Sequence, residues 1–297
     1  MYKQIAANKR RTWILLIGFG IFLVGVFMLV GLALEVDPIA AAIVGGVAAT
    51  GYSLISFYAS AGLTLASQGA KEIEKAHAPE VFTMVENLAI TAGLPMPKLY
   101  IIQDDSPNAF ATGRDPKHAA IAVTTGLLKR LDKKELEGVL AHEMSHIKNF
   151  DIRIMTLVVV LIGFLILMSE ILIRSTLRSR TRGRDAQKVM LIALVIGLVL
   201  GILSPFLAQI IKLAISRSRE YLADASGALL TRYPEGLASA LEKIKSSDIP
   251  LQKANHATAH LYISSPFTEK KVTKSFWQKL FLTHPPIDER ISKLRSM

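Results

Sequence analysis

Residues 142–146 read His-Glu-Met-Ser-His, a run whose residue types and spacing suit metal chemistry. On a helix, residues four apart lie on the same face, so the rings of His142 and His146 can converge on one zinc ion with Glu143 beside them. Zinc with three protein ligands keeps an open position, lowers the pKa of a bound water to about 7, and lets a neighbouring carboxylate act as general base. The run therefore predicts hydrolysis by an activated water, typically attack on a peptide carbonyl.

The sequence before this run predicts the helix that the chemistry needs. Asp132 is followed three residues later by Glu135, the pattern of a capping box, and apolar residues then recur at helical spacing. The alternative is a pair of surface histidines on an amphipathic helix. The neighbours of the histidines are apolar and favour a partly buried face: Ala141, Met144 and Ile147.

A third metal ligand must come from elsewhere in the chain, and an acidic pair after the last apolar stretch is the candidate. Glu220 and Asp224 are one helical turn apart, which suits a carboxylate ligand and a carboxylate that accepts the second ring N–H of His142. The alternative is that both acids pair with neighbouring arginines on a solvated face. His146 lies about ten residues before the third apolar segment and Glu220 about nine after the fourth, so an antiparallel hairpin of these segments would bring both to the same height.

Four apolar stretches explain why 51% of the residues are hydrophobic and the mean hydropathy is +0.37, values that are too high for a soluble chain. The first stretch would be about 34 Å long as a helix, enough to cross a bilayer core of about 30 Å. We predict four membrane-associated helices, at Thr12–Leu34, Ile39–Leu65, Leu157–Ile173 and Val189–Ile211.

The charges that flank the first two segments predict the orientation of the chain. Basic residues precede the first segment and an acidic turn follows it, so the positive-inside rule places the amino terminus and the region after the second segment in the cytoplasm. The absence of cysteine fits a reducing compartment and excludes a thiolate metal site.

The loop between the third and fourth segments conflicts with this rule, because a full hairpin would place a basic loop on the external side. Either the hairpin is shallow and re-entrant, or the position of the metal ligands overrides the charge bias. Glu170 is a charged residue within the third apolar segment, which fits either a shallow hairpin or a water-lined cavity in the membrane. The basic residues of the loop are Arg174, Arg178, Arg180, Arg182, Arg184 and Lys188.

Residues 68–151 predict a small sheet ahead of the metal-binding helix. Residues 71–92 read as an amphipathic helix, and strands are predicted at 98–102 and 119–125. Residues 108–112, between these two strands, would form an edge of the sheet beside the zinc. Zinc endopeptidases bind the substrate backbone at such an edge as an added strand. An ordinary sheet with no functional edge fits the periodicity equally well. The residues of the predicted substrate edge are Asn108, Ala109, Phe110, Ala111 and Thr112, and we expect Ala109 and Ala111 to direct their N–H groups to opposite sides.

The formal net charge is +11, but the arginines cluster at membrane borders, where anionic lipid headgroups are the available partner. No base-stacking aromatic residues are interleaved with them, so the sequence does not indicate nucleic-acid binding. His256 and His260 are also four apart, but no glutamate lies between them, and we do not predict a second metal site there.

Several motifs resemble those of the HtpX heat-shock membrane zinc metalloproteases and, more distantly, the CAAX prenyl endoproteases. The runs that carry the resemblance are 108–114, 119–128, 142–146, 216–224 and 284–290. The resemblance implies one zinc ion on His142, His146 and Glu220, with Glu143 as general base. It also implies endoproteolysis of membrane proteins, typically damaged or misassembled ones.

The resemblance further implies that His284 and Arg290 form a pair near the active site, where a cationic or hydrogen-bonding group could stabilise the oxyanion of the tetrahedral intermediate. Without the resemblance, the run His-Pro-Pro at 284–286 is also a plain loop signature.

The sequence thus predicts an α-helical integral membrane protein with a zincin-like α+β catalytic domain in the cytoplasm. Its predicted parts are a transmembrane hairpin (1–67), the first part of the protease domain (68–155), a second membrane-associated hairpin (156–215) and the second part of the protease domain (216–297). Together with the resemblance, which implies a role in stress response and quality control at the cell inner membrane, we expect a multi-pass zinc endopeptidase that acts on protein substrates. The alternatives are a dedicated processing protease of the prenyl-protease type and a catalytically idle metal-binding scaffold, although the intact Glu143 argues against idleness.

Overall fold

The computed structural model describes residues 2–33, 35–178, 217–253, 258–264 and 285–297. Two long helices come first, α1 (Tyr2–Ala33) and α2 (Pro38–Ser67). Within the described residues, two helical stretches are long and apolar enough to cross a membrane, Ile5–Leu32 and Pro38–Ser67. They match the first two predicted segments.

The turn between α1 and α2 is fixed by its sequence. The Asp37 carboxylate accepts a hydrogen bond from the N–H of Ala40 at 2.9 Å, as expected of an N-cap residue. Pro38 occupies the first turn of α2, where a missing backbone donor has no intrahelical partner to lose.

A third long helix, α6 (Asp151–Arg178), packs against both α1 and α2. Phe19 of α1 belongs to the same buried apolar cluster as Leu157 and Leu161 of α6. Helix α6 contains the third predicted segment. The fourth predicted segment lies outside the described residues, as does the basic loop beyond residue 178, and the side chain of Glu170 lies outside the described side chains.

A four-stranded sheet follows α2 in the chain, with the spatial order β1-β2-β4-β3. Its strands are β1 (Lys71–Glu72), β2 (Lys98–Ile102), β3 (Ala109–Gly113) and β4 (Ala119–Thr124). Strand β2 is parallel to β4, whereas the pairs β1–β2 and β3–β4 are antiparallel. Strand β3 is therefore an edge of the sheet.

The predicted helix at 71–92 is wrong in its first part. Lys71 and Glu72 pair with β2 instead, and helix α3 covers only Pro79–Ala92. Pro79 explains the boundary, because proline is accepted in the first helical turn but disfavours helical backbone at the residue before it. Gly93 ends α3 in the left-handed region, with φ of 69°.

The remaining helices are α4 (Thr125–Arg130), α5 (Lys133–Lys148), α7 (Arg217–Thr231), α8 (Pro234–Lys245) and α9 (Ile287–Arg295). The predicted capping box of α5 is present. The Asp132 carboxylate accepts from the N–H of Glu135 at 3.0 Å, and the Glu135 carboxylate accepts from the N–H of Asp132 at 2.8 Å.

The sheet lies between the long apolar helices and the shorter ones. Alternate residues of a strand face opposite sides, so Leu99 and Ile121 belong to the core formed with α3 and α5, whereas Phe110 belongs to a second core with Leu65 of α2 and Met155 of α6. The first core also takes in residues of α7, α8 and α9. The two predicted parts of the protease domain therefore share one core within the described residues.

Helix α5 is packed tightly against α7 and α8. A Cβ atom added to Gly227 of α7 would lie 3.0 Å from the backbone nitrogen of His142, and one added to Gly138 would lie 2.7 Å from the backbone nitrogen of Leu237 in α8. Glycine at these crossings lets the helix axes approach closely, which brings the side chains of α7 to those of α5.

Candidate metal centre

Helices α5 and α7 bring two imidazoles and one carboxylate to a common point. The Nε2 atoms of His142 and His146 are 3.1 Å apart. The Glu220 carboxylate oxygens lie 3.8 Å from Nε2 of His142 and 3.6 Å from Nε2 of His146. Ligand atoms about 2.0–2.1 Å from a tetrahedral zinc lie about 3.3 Å from one another, so this donor set fits zinc.

The three groups are all buried, and within the described residues they are the group of His, Asp or Glu side chains that could hold a metal ion. The separations arise from the sequence, because residues 142 and 146 are one helical turn apart and Gly227 lets α7 lie directly against α5. Two imidazoles and a carboxylate are a usual zinc ligand set.

Asp224 lies behind His142, where the sequence analysis expected it. Its Oδ1 atom is 2.9 Å from Nδ1 of His142. Arg290 of α9 holds this carboxylate from the other side, with Nε donating to Oδ2 at 2.8 Å and Nη2 donating to Oδ1 at 2.7 Å. Such a contact fixes which ring nitrogen of His142 faces the metal position.

The guanidinium of Arg290 is 0% exposed, and its third hydrogen bond runs from Nη1 to the carbonyl of Ile263 at 2.9 Å. Nη1 also lies 3.6 Å from Glu220. The guanidinium thus lies behind two carboxylates, with its donors directed at Asp224 and at a backbone carbonyl. His284, its predicted companion, lies outside the described residues.

Asp151 is a site residue that the sequence analysis missed. Its Oδ2 atom lies 3.1 Å from Nδ1 of His146, so it has the same relation to this histidine as Asp224 has to His142. The general rule that a metal-binding histidine contacts a carboxylate through its second nitrogen was the available signal. Asp151 is an acid in the turn that follows the histidine helix, but its position depends on the geometry of that turn.

The pKa values of the two histidines are shifted in opposite directions. Burial lowers the pKa of His142, and the nearby Asp224 offsets this only in part. Burial alone would also lower the pKa of His146, but its hydrogen bond to Asp151 and the carboxylate of Glu220 raise it to about 9. The metal-free site therefore favours a neutral His142 and a protonated His146 at neutral pH.

Glu143 is 1% exposed and lies on α5 between the two histidines. Burial raises its pKa to about 7, and the charge of Glu220 adds to this, whereas His146 and the backbone N–H of Ala111 lower it. A carboxyl group with a pKa near the working pH is suited both to accept and to return a proton.

The register of β3 determines which backbone groups face outward. The N–H of Thr124 donates to the carbonyl of Asn108 at 3.0 Å, so every second residue from Asn108 onward directs its backbone groups at β4. Ala109 and Ala111 both direct theirs away from β4. The expectation that these two alanines point to opposite sides is wrong, because residues two apart in a strand are equivalent.

Much of the outer edge of β3 is already paired. The carbonyl of Ala109 accepts from the N–H of Ile263 at 3.0 Å, and the N–H of Gly113 donates to Oγ1 of Thr156 at 3.2 Å. Ala111 lies between these contacts, with its N–H toward Glu143. The part of the predicted edge that is placed to meet a substrate is thus narrower than 108–112.

The other residues of the predicted edge have contacts within the protein. The side-chain amide of Asn108 donates to the carbonyl of Ser264 at 3.2 Å, and the ring of Phe110 packs edge-on against Tyr262 with centroids 5.1 Å apart. The hydroxyl of Thr112 is 2.9 Å from that of Thr156. These contacts hold the strand against α6 and against the segment 258–264.

The second histidine pair is only partly described. Nε2 of His260 lies 3.0 Å from the carbonyl of Met155, and His256 lies outside the described residues.

Comparison with known proteins identifies close relatives over the full length. Residues 75–297 match the model of peptidase family M48. The whole chain is 44% identical to the protease HtpX homolog of Tropheryma whipplei (strain Twist), covering 98% of that protein. It is 45% identical to the protease HtpX homolog of Dictyoglomus thermophilum, covering 94%, and 42% identical to that of Streptococcus gordonii, covering 100%.

Among solved structures, the crystal structure of S. mikatae Ste24p is similar with a TM-score of 0.51 and 21% sequence identity. The match covers 99% of this chain and 66% of the Ste24p chain. At this level of identity the similarity concerns the fold alone.

Proposed function

The chain belongs to peptidase family M48 and is a membrane-bound metalloprotease similar to HtpX, and we propose that His142, His146 and Glu220 hold its single zinc ion. The family implies a metal, typically zinc. The observation that carries the assignment is the approach of three ligand atoms, one from each residue, to within 4.8 Å of one another in a buried position. The catalytic part is then of the zincin type, with the HExxH helix and a later helix that supplies the glutamate.

In this proposal each polar residue of the site has one task. Zinc, when bound, would supply Lewis acidity that lowers the pKa of a water to about 7 and polarises the scissile carbonyl. Glu143 takes a proton from the attacking water and returns it to the leaving amine. Asp224 and Asp151 fix the tautomers of His142 and His146, so that Nε2 of each ring faces the metal position.

Arg290 is assigned as a positioning residue in this scheme. Its double hydrogen bond to Asp224 and its 3.6 Å approach to Glu220 hold one orienting carboxylate and one ligand carboxylate in place. All three guanidinium nitrogens already donate hydrogen bonds to protein acceptors, two of them to Asp224. The positive charge therefore acts on these protein groups and not on a substrate oxygen.

Substrate recognition is proposed to use the edge of β3 at Ala111. An extended substrate segment would lie beside this residue and pair with its outward carbonyl, while the N–H of Ala111 is directed at Glu143, which places the scissile bond next to that carboxyl group. Because the edge is already paired at Ala109 and Gly113, the protein contributes few backbone hydrogen bonds. The backbone pairing that remains does not depend on the substrate side chains, which fits the broad sequence tolerance expected of a protease that removes damaged or misassembled membrane proteins.

We further propose that the catalytic domain faces the cytoplasm of a multi-pass inner-membrane protein. Support comes from the basic residues in the amino-terminal part of α1 and the acidic turn after this helix. The similarity to Ste24p concerns fold and does not favour a dedicated processing function. An idle scaffold is not favoured either, because Glu143 is buried beside the ligands although zinc binding does not need it.

Metal analysis of three purified variants tests the ligand assignment. Glu220→Ala removes the proposed third ligand, Glu143→Gln removes the proposed base, and Glu80→Ala is a control at an exposed position of α3. We expect about one zinc per chain in wild type, Glu143→Gln and Glu80→Ala, and strong loss in Glu220→Ala. Unchanged zinc in Glu220→Ala would refute the ligand set.

A further inference from the structure

Asn8 of α1 is buried against the turn that follows the histidine helix. It is 1% exposed, and its side-chain amide nitrogen donates two hydrogen bonds. One goes to the carbonyl of Asn149 at 3.0 Å and the other to Oδ1 of Asp151 at 2.8 Å. Both N–H donors of this amide are therefore directed at one turn, more than 140 residues away in sequence.

That turn has an unusual backbone. Helix α5 ends at Lys148, Asn149 is its C-cap, and α6 begins at Asp151. Between them, Phe150 has a φ of 59°, in the left-handed region that a residue with a large side chain rarely adopts. Such a conformation persists only where its surroundings hold it, and functional sites are common among such places.

Helix α1 supplies part of those surroundings on both sides of the turn. Besides the two bonds from Asn8, Nζ of Lys9 lies 4.8 Å from the centroid of the Phe150 ring. Arg219, from α7, approaches Oδ1 of Asp151 to 3.8 Å. The turn is thus fixed between α1 and α7, with Oδ2 of Asp151 left for His146 at 3.1 Å.

We propose that Asn8 is a positioning residue of the metal centre, which it reaches through Asp151 and His146. The inference rests on the proposed function, because it assumes zinc at these histidines. Asn8 lies outside the region 75–297 that matches the family model, so the amino-terminal helix adds a residue to the active site from beyond the family domain. Helix α1 is then both a membrane helix and a support of the catalytic site.

The expected loss of zinc affinity on removal of Asn8 depends on how many contacts separate Asn8 from the metal position. Loss of a group that directly orients a metal-binding residue weakens metal affinity by about 10–100-fold. Asn8 acts one contact further away, so its removal is expected to weaken zinc binding by about tenfold, at the lower end of that range.

Two substitutions separate positioning from simple packing. Asn8→Ala removes the amide and leaves a gap, whereas Asn8→Leu keeps the number and branching of the side-chain heavy atoms but donates no hydrogen bond. If Asn8 positions Asp151, both variants lose zinc affinity to a similar extent. The control is Thr12→Ala, because Thr12 is equally buried in α1 but its hydroxyl bonds only within the helix, to the carbonyl of Asn8 at 2.9 Å.

The measurement is the zinc dissociation constant of the full chain in detergent micelles, obtained by competition with a chromogenic chelator. We expect a roughly tenfold weaker constant for Asn8→Ala and Asn8→Leu and a wild-type constant for Thr12→Ala. Asn8→Leu also provides a well-packed variant if the gap in Asn8→Ala prevents folding. Wild-type affinity in Asn8→Leu would overturn the proposal.

A double substitution tests the route. In the background of Asp151→Asn, which itself weakens zinc binding, Asn8→Leu should have little further effect, because both act on the same histidine. A full additional tenfold loss there would show that Asn8 acts elsewhere and would overturn the route. Failure of the wild-type chain to bind zinc at all would instead refute the proposed function, so the two failures are distinguishable.

Discussion

Replacing Arg290 by leucine tests whether the buried charges behind the metal centre stabilise the fold. Arg290 donates two hydrogen bonds to Asp224, at 2.8 and 2.7 Å, and one to Ile263, at 2.9 Å. Arg290→Leu leaves the Asp224 carboxylate buried without its cation. Removing one partner of a buried ion pair costs about 3–5 kcal/mol.

The pKa of Asp224 leads to a similar magnitude. Burial alone would raise this pKa, but the charge of Arg290 and the hydrogen bonds from His142 and Arg290 lower it to about 2. Against about 3.9 in an unfolded chain, the difference corresponds to about 2–3 kcal/mol of stability. Because the folded pKa is the lower one, this stability is present above the unfolded pKa and is lost as the pH falls through about 2.

The assay is thermal unfolding of the metal-free chain followed by circular dichroism. For a chain of this size, a loss of 3–5 kcal/mol lowers the midpoint by roughly 10 °C. In wild type the contribution of Asp224 should be the same from about pH 6 to about pH 8, since both its folded and its unfolded pKa lie well below that range.

The matched control is Arg295→Leu on the same helix. Arg295 is 44% exposed and pairs with Glu235 and Glu242 at the surface, where solvent screens the interaction. Its loss should shift the midpoint much less. Equal shifts for Arg290→Leu and Arg295→Leu would refute the reasoning, as would a double variant Arg290→Leu/Asp224→Leu that is no more stable than Arg290→Leu alone.

Three further outcomes follow from the site. Ala111→Pro should keep the fold and slow proteolysis at least about tenfold, because it removes the outward N–H that is directed at Glu143. Phe110→Pro should instead lower the unfolding midpoint, because it removes a donor used within the sheet, and equal behaviour of the two variants would count against the proposed edge. Apparent zinc affinity should rise with pH up to about 9, because zinc must displace the proton of His146, and a flat profile by chelator competition would contradict this. Gly227→Ala should weaken zinc binding, because its Cβ would lie 3.0 Å from the backbone of α5, whereas Gly163→Ala, with nothing within 4 Å, should not. Similar zinc dissociation constants for the two variants would disprove the role of the tight helix crossing.

The histidine helix could be predicted because its signals are local. The capping box of Asp132 and Glu135 and the spacing of His142 and His146 each involve residues within one or two helical turns. The place of Glu220 could be predicted only from its distance along the chain, because His146 lies about ten residues before the third apolar segment and Glu220 about nine after the fourth. Its place beside the two histidines depends on the close crossing of α7 and α5 at Gly227.

Asp151 and Asn8 could not be predicted in the same way. The contact of Asp151 with His146 depends on the positive φ of Phe150, and a non-glycine residue in that conformation leaves no sequence signal. Asn8 meets this turn only because α1 packs beside α6. By contrast, the error at residues 71–78 was avoidable, since Pro79 marks the start of α3 in the sequence itself.

The central claim is that Glu143 is the base of a zinc-dependent protease. The direct measurement is the rate of casein cleavage by the zinc-loaded full chain and by Glu143→Gln, with zinc content measured on the same samples. We predict that Glu143→Gln keeps its zinc and cleaves at least about 100-fold more slowly, the usual contribution of a general base. A Glu143→Gln protein that holds full zinc and cleaves casein at the wild-type rate would contradict the claim.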